Sequence, residues 1–275
     1  MQKSSVRWIL AVIITLSAAV YQRMTGPTYP LRDSAVIENQ EINYKFLRSY
    51  VSDEDQPVHL IMPDTSFKAS LFYRRYKTDT EYKTIVMHRS GDTLRAFLPK
   101  QPPAGKLEYF VELRHSEKKY SLPADRTVVT RFKGAVPGAA LIPHVIFMFI
   151  AMLFSNVSLF EALANGPKLK IYAVVTAVLL FLGGMVLGLV VQKFAFGEFW
   201  TGVPFGWDLT DNKTLLAMIG WAAGVIAVLS GEIKKRRWWV AVAAIVLLLV
   251  YSIPHSTMGS ELDYNKMEVT TGELE

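Results

Sequence analysis

Charged residues vanish from four windows of the chain, 134–160, 171–192, 214–231 and 238–260. A bilayer's hydrocarbon core takes roughly 20 apolar residues of helix, so the first two windows fit outright, and the last two fit with tilt or with help from loop ends. The pattern predicts membrane helices over 136–158, 170–192, 213–231 and 238–254. A shorter apolar run, 8–21, follows Lys3 and Arg7. It reads as an uncleaved anchor; the alternative is a signal peptide, although Ala18-Ala19-Val20-Tyr21-Gln22 makes a poor cleavage site. Burying four such helices in a soluble core would be costly in a chain of 275 residues.

Over 40–133 the pattern changes to a period of two. Short runs at 58–61, 68–73, 83–87, 94–98 and 106–113 are rich in β-branched and aromatic residues, and several alternate polar with apolar. Ser90-Gly91-Asp92, the stretch 99–105 and Leu122-Pro123-Ala124-Asp125 supply turns between them. A last strand at 127–132 runs almost directly into the next helix. Short strands at this spacing are expected to form a small β-sandwich.

Lys and Arg are retained on the cytoplasmic side of short loops. Lys3 and Arg7, then Lys168 and Lys170, then Lys234-Lys235-Arg236-Arg237 all agree with one topology of five spans, with the amino terminus inside and the β-domain and carboxyl terminus outside. The expected fold class is therefore a polytopic α-helical membrane protein with an inserted extracytoplasmic all-β immunoglobulin-like sandwich. Its parts are an anchor helix at 1–24, a linker at 25–39, the β-sandwich at 40–133, a four-helix membrane bundle at 134–255 with an outer loop at 193–212, and an acidic tail at 256–275. The location that fits is a bacterial cytoplasmic (inner) membrane.

Composition narrows the chemistry. Net charge is +6, but the basic residues of the membrane half sit in short loops, so the lipid bilayer accounts for them and nucleic acid is not indicated. No cysteine is present, which removes disulfides, thiolate ligands, thiol nucleophiles and covalent haem attachment. No nucleophile elbow, phosphate-binding glycine loop or His-Glu-x-x-His motif appears, so no catalytic residue is assigned.

Two histidines stand apart. His144 lies two turns into a predicted span, where an ionisable side chain is a functional candidate by default. His255 follows Pro254 at the end of the last span. The expected topology puts both on the same side as the 196–221 segment, which carries Trp200, Trp207, Asp208, Asp211 and Trp221. Plain explanations exist for each. His144 is explained by a hydrogen bond between helices, the tryptophans by interfacial aromatics, and either aspartate by a helix cap. Gly183, Gly184 and Gly188, and Gly220 with Gly224, read as close-packing positions between helices. His59, His88 and His115 fall in the β-domain without a cluster.

Taken together, Trp200-Thr201-Gly202, Phe205-Gly206-Trp207-Asp208, Asn212-Lys213-Thr214 and Trp221 resemble the tryptophan-rich extracytoplasmic segment of the haem-handling membrane proteins of cytochrome c maturation. The resemblance covers 196–221 and two histidines, and the interval from Trp-Asp to Lys is longer here. It implies haem as cofactor, with His144 and His255 as iron ligands and Trp200, Trp207 and Asp208 as cofactor-binding residues; from residue chemistry, the cationic Lys193 or Lys213 would suit the level of the propionates. The stretch 97–113 is likewise similar to late strands of bacterial immunoglobulin-like and fibronectin-like modules. From residue chemistry alone, His144, His255 and Asp208 would also form a mixed ligand set for zinc, copper or iron. Two functions stay open: a non-catalytic membrane subunit or scaffold that binds an envelope protein through the β-domain and outer loop, or a haem- or metal-associated carrier, electron-transfer or assembly factor.

Overall fold

The computed structural model describes residues 2–255, 257 and 259–270, without the side chains of residues 2, 3 and 233. Five helical rods enclose and follow a β region. They are α1 (Gln2–Thr25), α2 (Gly138–Leu163), α3 (Leu169–Phe196), α4 (Leu209–Ser230) and α5 (Ile233–Ser252). Their apolar side chains are distributed as a lipid solvent requires. Ile13, Ile142, Ile171, Ile219 and Leu249 face outward, while small residues such as Ala173, Ala217 and Ala244 and the indole of Trp221 are buried between helices.

Two features of the expected fold are corrected. First, among the described residues four helices, not five, are long and apolar enough to cross a membrane: α1 through α4. Helix α5 begins with Lys234, Lys235, Arg236 and Arg237 inside it. The part free of charge, 238–252, measures about 22 Å at 1.5 Å per residue, short of a hydrocarbon core of roughly 30 Å. The basic cluster expected in a loop is therefore the first turn and a half of the helix itself.

Second, the β region is not the expected immunoglobulin-like sandwich. Thirteen strands are spread over several small sheets, with no closed barrel among the described residues. A hairpin pairs β1 (Leu31–Ile37) with β2 (Gln40–Phe46). A three-stranded sheet has the order β4 (Gln56–Ile61), β8 (Thr93–Leu98), β7 (His88–Ser90). The largest sheet runs β3 (Ser49–Val51), β11 (Val128–Lys133), β9 (Lys106–His115), β5 (Lys68–Arg75), β6 (Lys83–Val86), with β10 (Lys118–Leu122) also paired to β9. Its β3–β11 pair is parallel. Alternation along a strand reveals which residues face the core but not which edges pair, because pairing is set over long sequence distances. One apolar core joins these strands, including Phe46, Leu71, Tyr109 and Phe132. The Tyr109 hydroxyl, deep in that core, donates to the Leu47 carbonyl at 2.8 Å.

Strand β1 lies within the stretch 25–39 expected as linker. The acidic tail also contains structure: β12 (Glu261–Asp263) pairs antiparallel with β13 (Glu268–Thr270), while residues 256, 258 and 271–275 lie outside the described residues. The hairpin seats Leu262 and Tyr264 beside Ala104 and ties Glu261 to Lys106 at 2.8 Å. The tail thus folds back onto the β region.

Helix α1 is bound into the bundle. Arg7 pairs with the buried Glu161 carboxylate of α2, Asn156 donates to Thr15 at 3.0 Å, and Trp8 meets Phe154 edge-on at 5.5 Å. At its other end the Gln22 amide donates to the Tyr251 carbonyl at 2.7 Å, next to the end of α5.

Candidate functional site

The sequence of β11, Val128-Val129-Thr130-Arg131-Phe132-Lys133, alternates between two faces. Val128 and Phe132 enter the apolar core. Arg131 and Lys133 therefore point the other way, toward the helices. Beneath that face lies a cavity of about 710 Å³, within the ~300–1,000 Å³ usual for small-molecule sites. Its walls come from the ends of all five helices and from β3 and β11.

Four of the five residues expected to bind a cofactor line this cavity, His144, His255, Trp200 and Asp208, and Asp211 lines it too. Trp207 does not, and is 63% exposed on the loop that joins α3 to α4. Trp221 is buried in the bundle core instead. His59, His88 and His115 stay in the β region, where His115 stacks on Phe67 at 4.6 Å. Among the described residues, no group of three or more His, Asp or Glu side chains is arranged to hold a metal ion, so His144, His255 and Asp208 do not assemble as a mixed ligand set.

His144 is held by an irregularity in α3. Residues Phe181–Leu187 are wound as a π-helix, a form that often occurs at functional positions. The Gly183 carbonyl there accepts from Nδ1 of His144 at 2.8 Å, in addition to the Gly188 amide. With Nδ1 as donor, Nε2 keeps its lone pair, the arrangement found in metal-bound histidines oriented by a carbonyl. The close approach depends on glycine: a Cβ at Gly183 would lie 3.0 Å from Phe147 Cβ and 3.1 Å from Met148 Sδ. The packing expected of these glycines and the hydrogen bond expected of His144 are one contact.

His255 sits just past α5, is exposed, and is one of the residues that line the cavity. Burial among protein atoms, then the charges of Lys213 and His144, push its pKa down to about 3.

The aspartates organise the walls. Asp208 is the N-cap of α4, accepting from the Thr210 amide at 2.8 Å through Oδ1. Its Oδ2 accepts from the amide and hydroxyl of Ser260 at 2.9 and 3.0 Å, so the same carboxylate straps the tail to the helix. Asp211 accepts from the Thr201 amide at 2.6 Å and from Gln192 at 2.9 Å, folding the aromatic loop over the helix ends. Lys213 donates to the Ile253 carbonyl and Lys193 to the Gly197 carbonyl.

The cationic residues facing the cavity are Arg131 and Lys133, not the expected Lys193 or Lys213. Arg131 is 6% exposed, and none of its three guanidinium nitrogens has a hydrogen-bond partner. Its guanidinium carbon lies over the Phe196 ring, 4.2 Å from the centroid, and burial lowers its pKa to about 10. Sequence reasoning missed it; the available signal was an arginine on the strand that leads into a membrane helix.

Compared with known protein families and with characterised proteins, the chain matches none.

Proposed function

We propose that this is a membrane protein that binds haem in the cavity between the β region and the helix ends, with His144 and His255 as candidate iron ligands. One observation carries the reading: two neutral-capable imidazoles, 111 positions apart in the chain, line a single cavity, and one of them is already oriented through Nδ1. Haem iron would need no more than one or two imidazoles from the protein, so the absence of a three-residue metal group among the described residues does not count against it. Apolar walls from Val145, Met148, Phe149 and Leu189 suit a porphyrin face, and Trp200 and Phe196 supply aromatic edges. Bound haem would supply electron-transfer or carrier chemistry; the chain orients His144 through the Gly183 carbonyl and places His255 at the same cavity. The basic clusters favour a bacterial cytoplasmic membrane with the amino terminus inside and the cavity on the outer side.

The test is gentle purification from a haem-replete membrane. A Soret band is expected in the wild type, reduced in His144→Gln and lost in the double His144→Gln, His255→Gln variant, with insertion unchanged. A colourless wild type that takes up no added hemin refutes the reading.

A second reading, a scaffold that docks an envelope protein, is favoured by the outward face of the three-stranded sheet. Ile61 and Phe97 are 67% and 54% exposed there. Pull-down of a stoichiometric partner by wild type but not by an Ile61→Ser, Phe97→Ser variant is the expected result. Equal recovery by both rejects that face.

A further inference from the structure

A guanidinium stripped of water and of hydrogen-bond partners is among the most unfavourable groups a fold can carry. Arg131 is such a group: buried, with Nε, Nη1 and Nη2 all unpartnered, and lining a cavity large enough for a ligand. Nearby carboxylates do not satisfy it. Asp208 and Glu261 favour its charge through space, but Asp208 is engaged by Thr210 and Ser260, and Glu261 by Lys106. The guanidinium carbon lies 4.2 Å from the centre of the Phe196 ring, a contact that offers the three nitrogens no hydrogen-bond acceptor. Lys133, two residues on, adds a second positive charge on the same face of the strand and at the same cavity.

We infer that Arg131, with Lys133 beside it, forms an anion seat that receives the carboxylate or phosphate head of an amphipathic ligand whose apolar body lies against Leu141, Val145, Met148 and Phe149. A planar fork of donors matches either oxyanion with two parallel hydrogen bonds. The seat and the body wall meet in one cavity, so the ligand class is an anionic amphiphile rather than a free ion. This inference rests on the cavity being a ligand site and not on the ligand being haem. Two sources carry the required head: a porphyrin with free carboxylates, and an anionic lipid of the surrounding bilayer.

The experiment uses the full chain in lipid nanodiscs and varies the ligand before the protein. Hemin and hemin dimethyl ester, whose carboxylates are masked, are titrated by Soret absorbance. Thermal midpoints are also measured in phosphatidylglycerol and in phosphatidylcholine. If the seat holds a porphyrin carboxylate, wild type binds hemin about ten- to a hundredfold tighter than the diester. Arg131→Gln removes that difference, and Arg131→Lys restores part of it. If the seat holds a lipid head, phosphatidylglycerol raises the midpoint of wild type over phosphatidylcholine, and Arg131→Gln abolishes the rise. Either pattern supports the seat. A lipid response with no hemin binding keeps the seat and refutes the haem reading. Equal affinity for hemin and diester, with no lipid response, refutes the seat, and the haem reading survives if that binding still depends on His144 and His255. The ligand comparison on wild type stands even if Arg131→Gln fails to fold.

Discussion

Asp208 does two jobs with two oxygens, and substitution can separate them. Oδ1 caps α4, and Oδ2 holds Ser260. Asparagine caps about as well as aspartate, so Asp208→Asn keeps the first function. It presents an amide N–H₂ or a weaker neutral acceptor to Ser260, so the charge-assisted strap is lost, a cost of about 1.5–3 kcal/mol. Asp208→Ala loses the cap as well, adding about 1 kcal/mol. Ser260→Ala removes only the hydroxyl bond and keeps the backbone one, for about 1 kcal/mol. The order of destabilisation is therefore Asp208→Ala, then Asp208→Asn, then Ser260→Ala. Thermal unfolding in detergent, followed by tryptophan fluorescence, measures the order. Limited tryptic cleavage at the exposed Lys266 measures release of the tail. Asp208→Asn should speed cleavage as much as Asp208→Ala does, since both free the tail. The Asp208→Asn, Ser260→Ala double variant should cost less than the sum of the singles, because the two residues share one contact. An Asp208→Asn protein with wild-type stability and wild-type protease resistance would refute the strap.

Three further outcomes are expected. Arg7→Ala leaves the Glu161 carboxylate buried and unpaired, and should destabilise by about 3–5 kcal/mol, while Arg7→Ala with Glu161→Gln recovers much of the loss in the same thermal assay. Gly183→Ala forces a methyl group against Phe147 and Met148, with an expected cost of about 1–3 kcal/mol, and should shift the His144 ring resonances in NMR. Acid lowers stability through His255. Its folded pKa of about 3 lies below the ordinary imidazole value, so between those two values the unfolded chain binds the extra proton. Stability should therefore fall as pH drops from about 6.5 toward 3. His255→Gln should flatten that slope, and an unchanged slope would contradict the assignment.

The helices were legible because lipid and neighbour helices both demand apolar surface, and charge-free windows record that demand. The windows ended early wherever a polar group is satisfied inside a helix. Glu161 pairs with Arg7 in the last turn of α2, and Asp211 binds Thr201 in the first turn of α4. The same logic over-read α5, whose four cations belong to the helix. His144, His255, Trp200 and Asp208 could be picked out because each was unusual for its local setting, and the cavity gathers all four. Arg131 could not. An arginine in an alternating strand looks like a solvated edge residue, and only the docking of β11 over the helix ends turns its face inward. Ser260 and Gln192 were hidden for the same reason, since their partners lie far along the chain or across a loop.

The tail hairpin changes the mechanics of the whole β region. That region is already joined covalently to α1 on one side and to α2 on the other. The second junction is tight, with the Gly134 amide bonded to the Ala195 carbonyl. The hairpin adds a third leg through Leu262 bonded to Ala104 and Glu261 paired with Lys106. A body standing on two legs can rock about the line between them, whereas one standing on three cannot unless a leg lifts. Only the third leg is non-covalent. Freedom of the β region to tilt away from the helices is therefore controlled by the last few turns of chain, and trimming the carboxyl terminus should act as a release catch on the cavity roof.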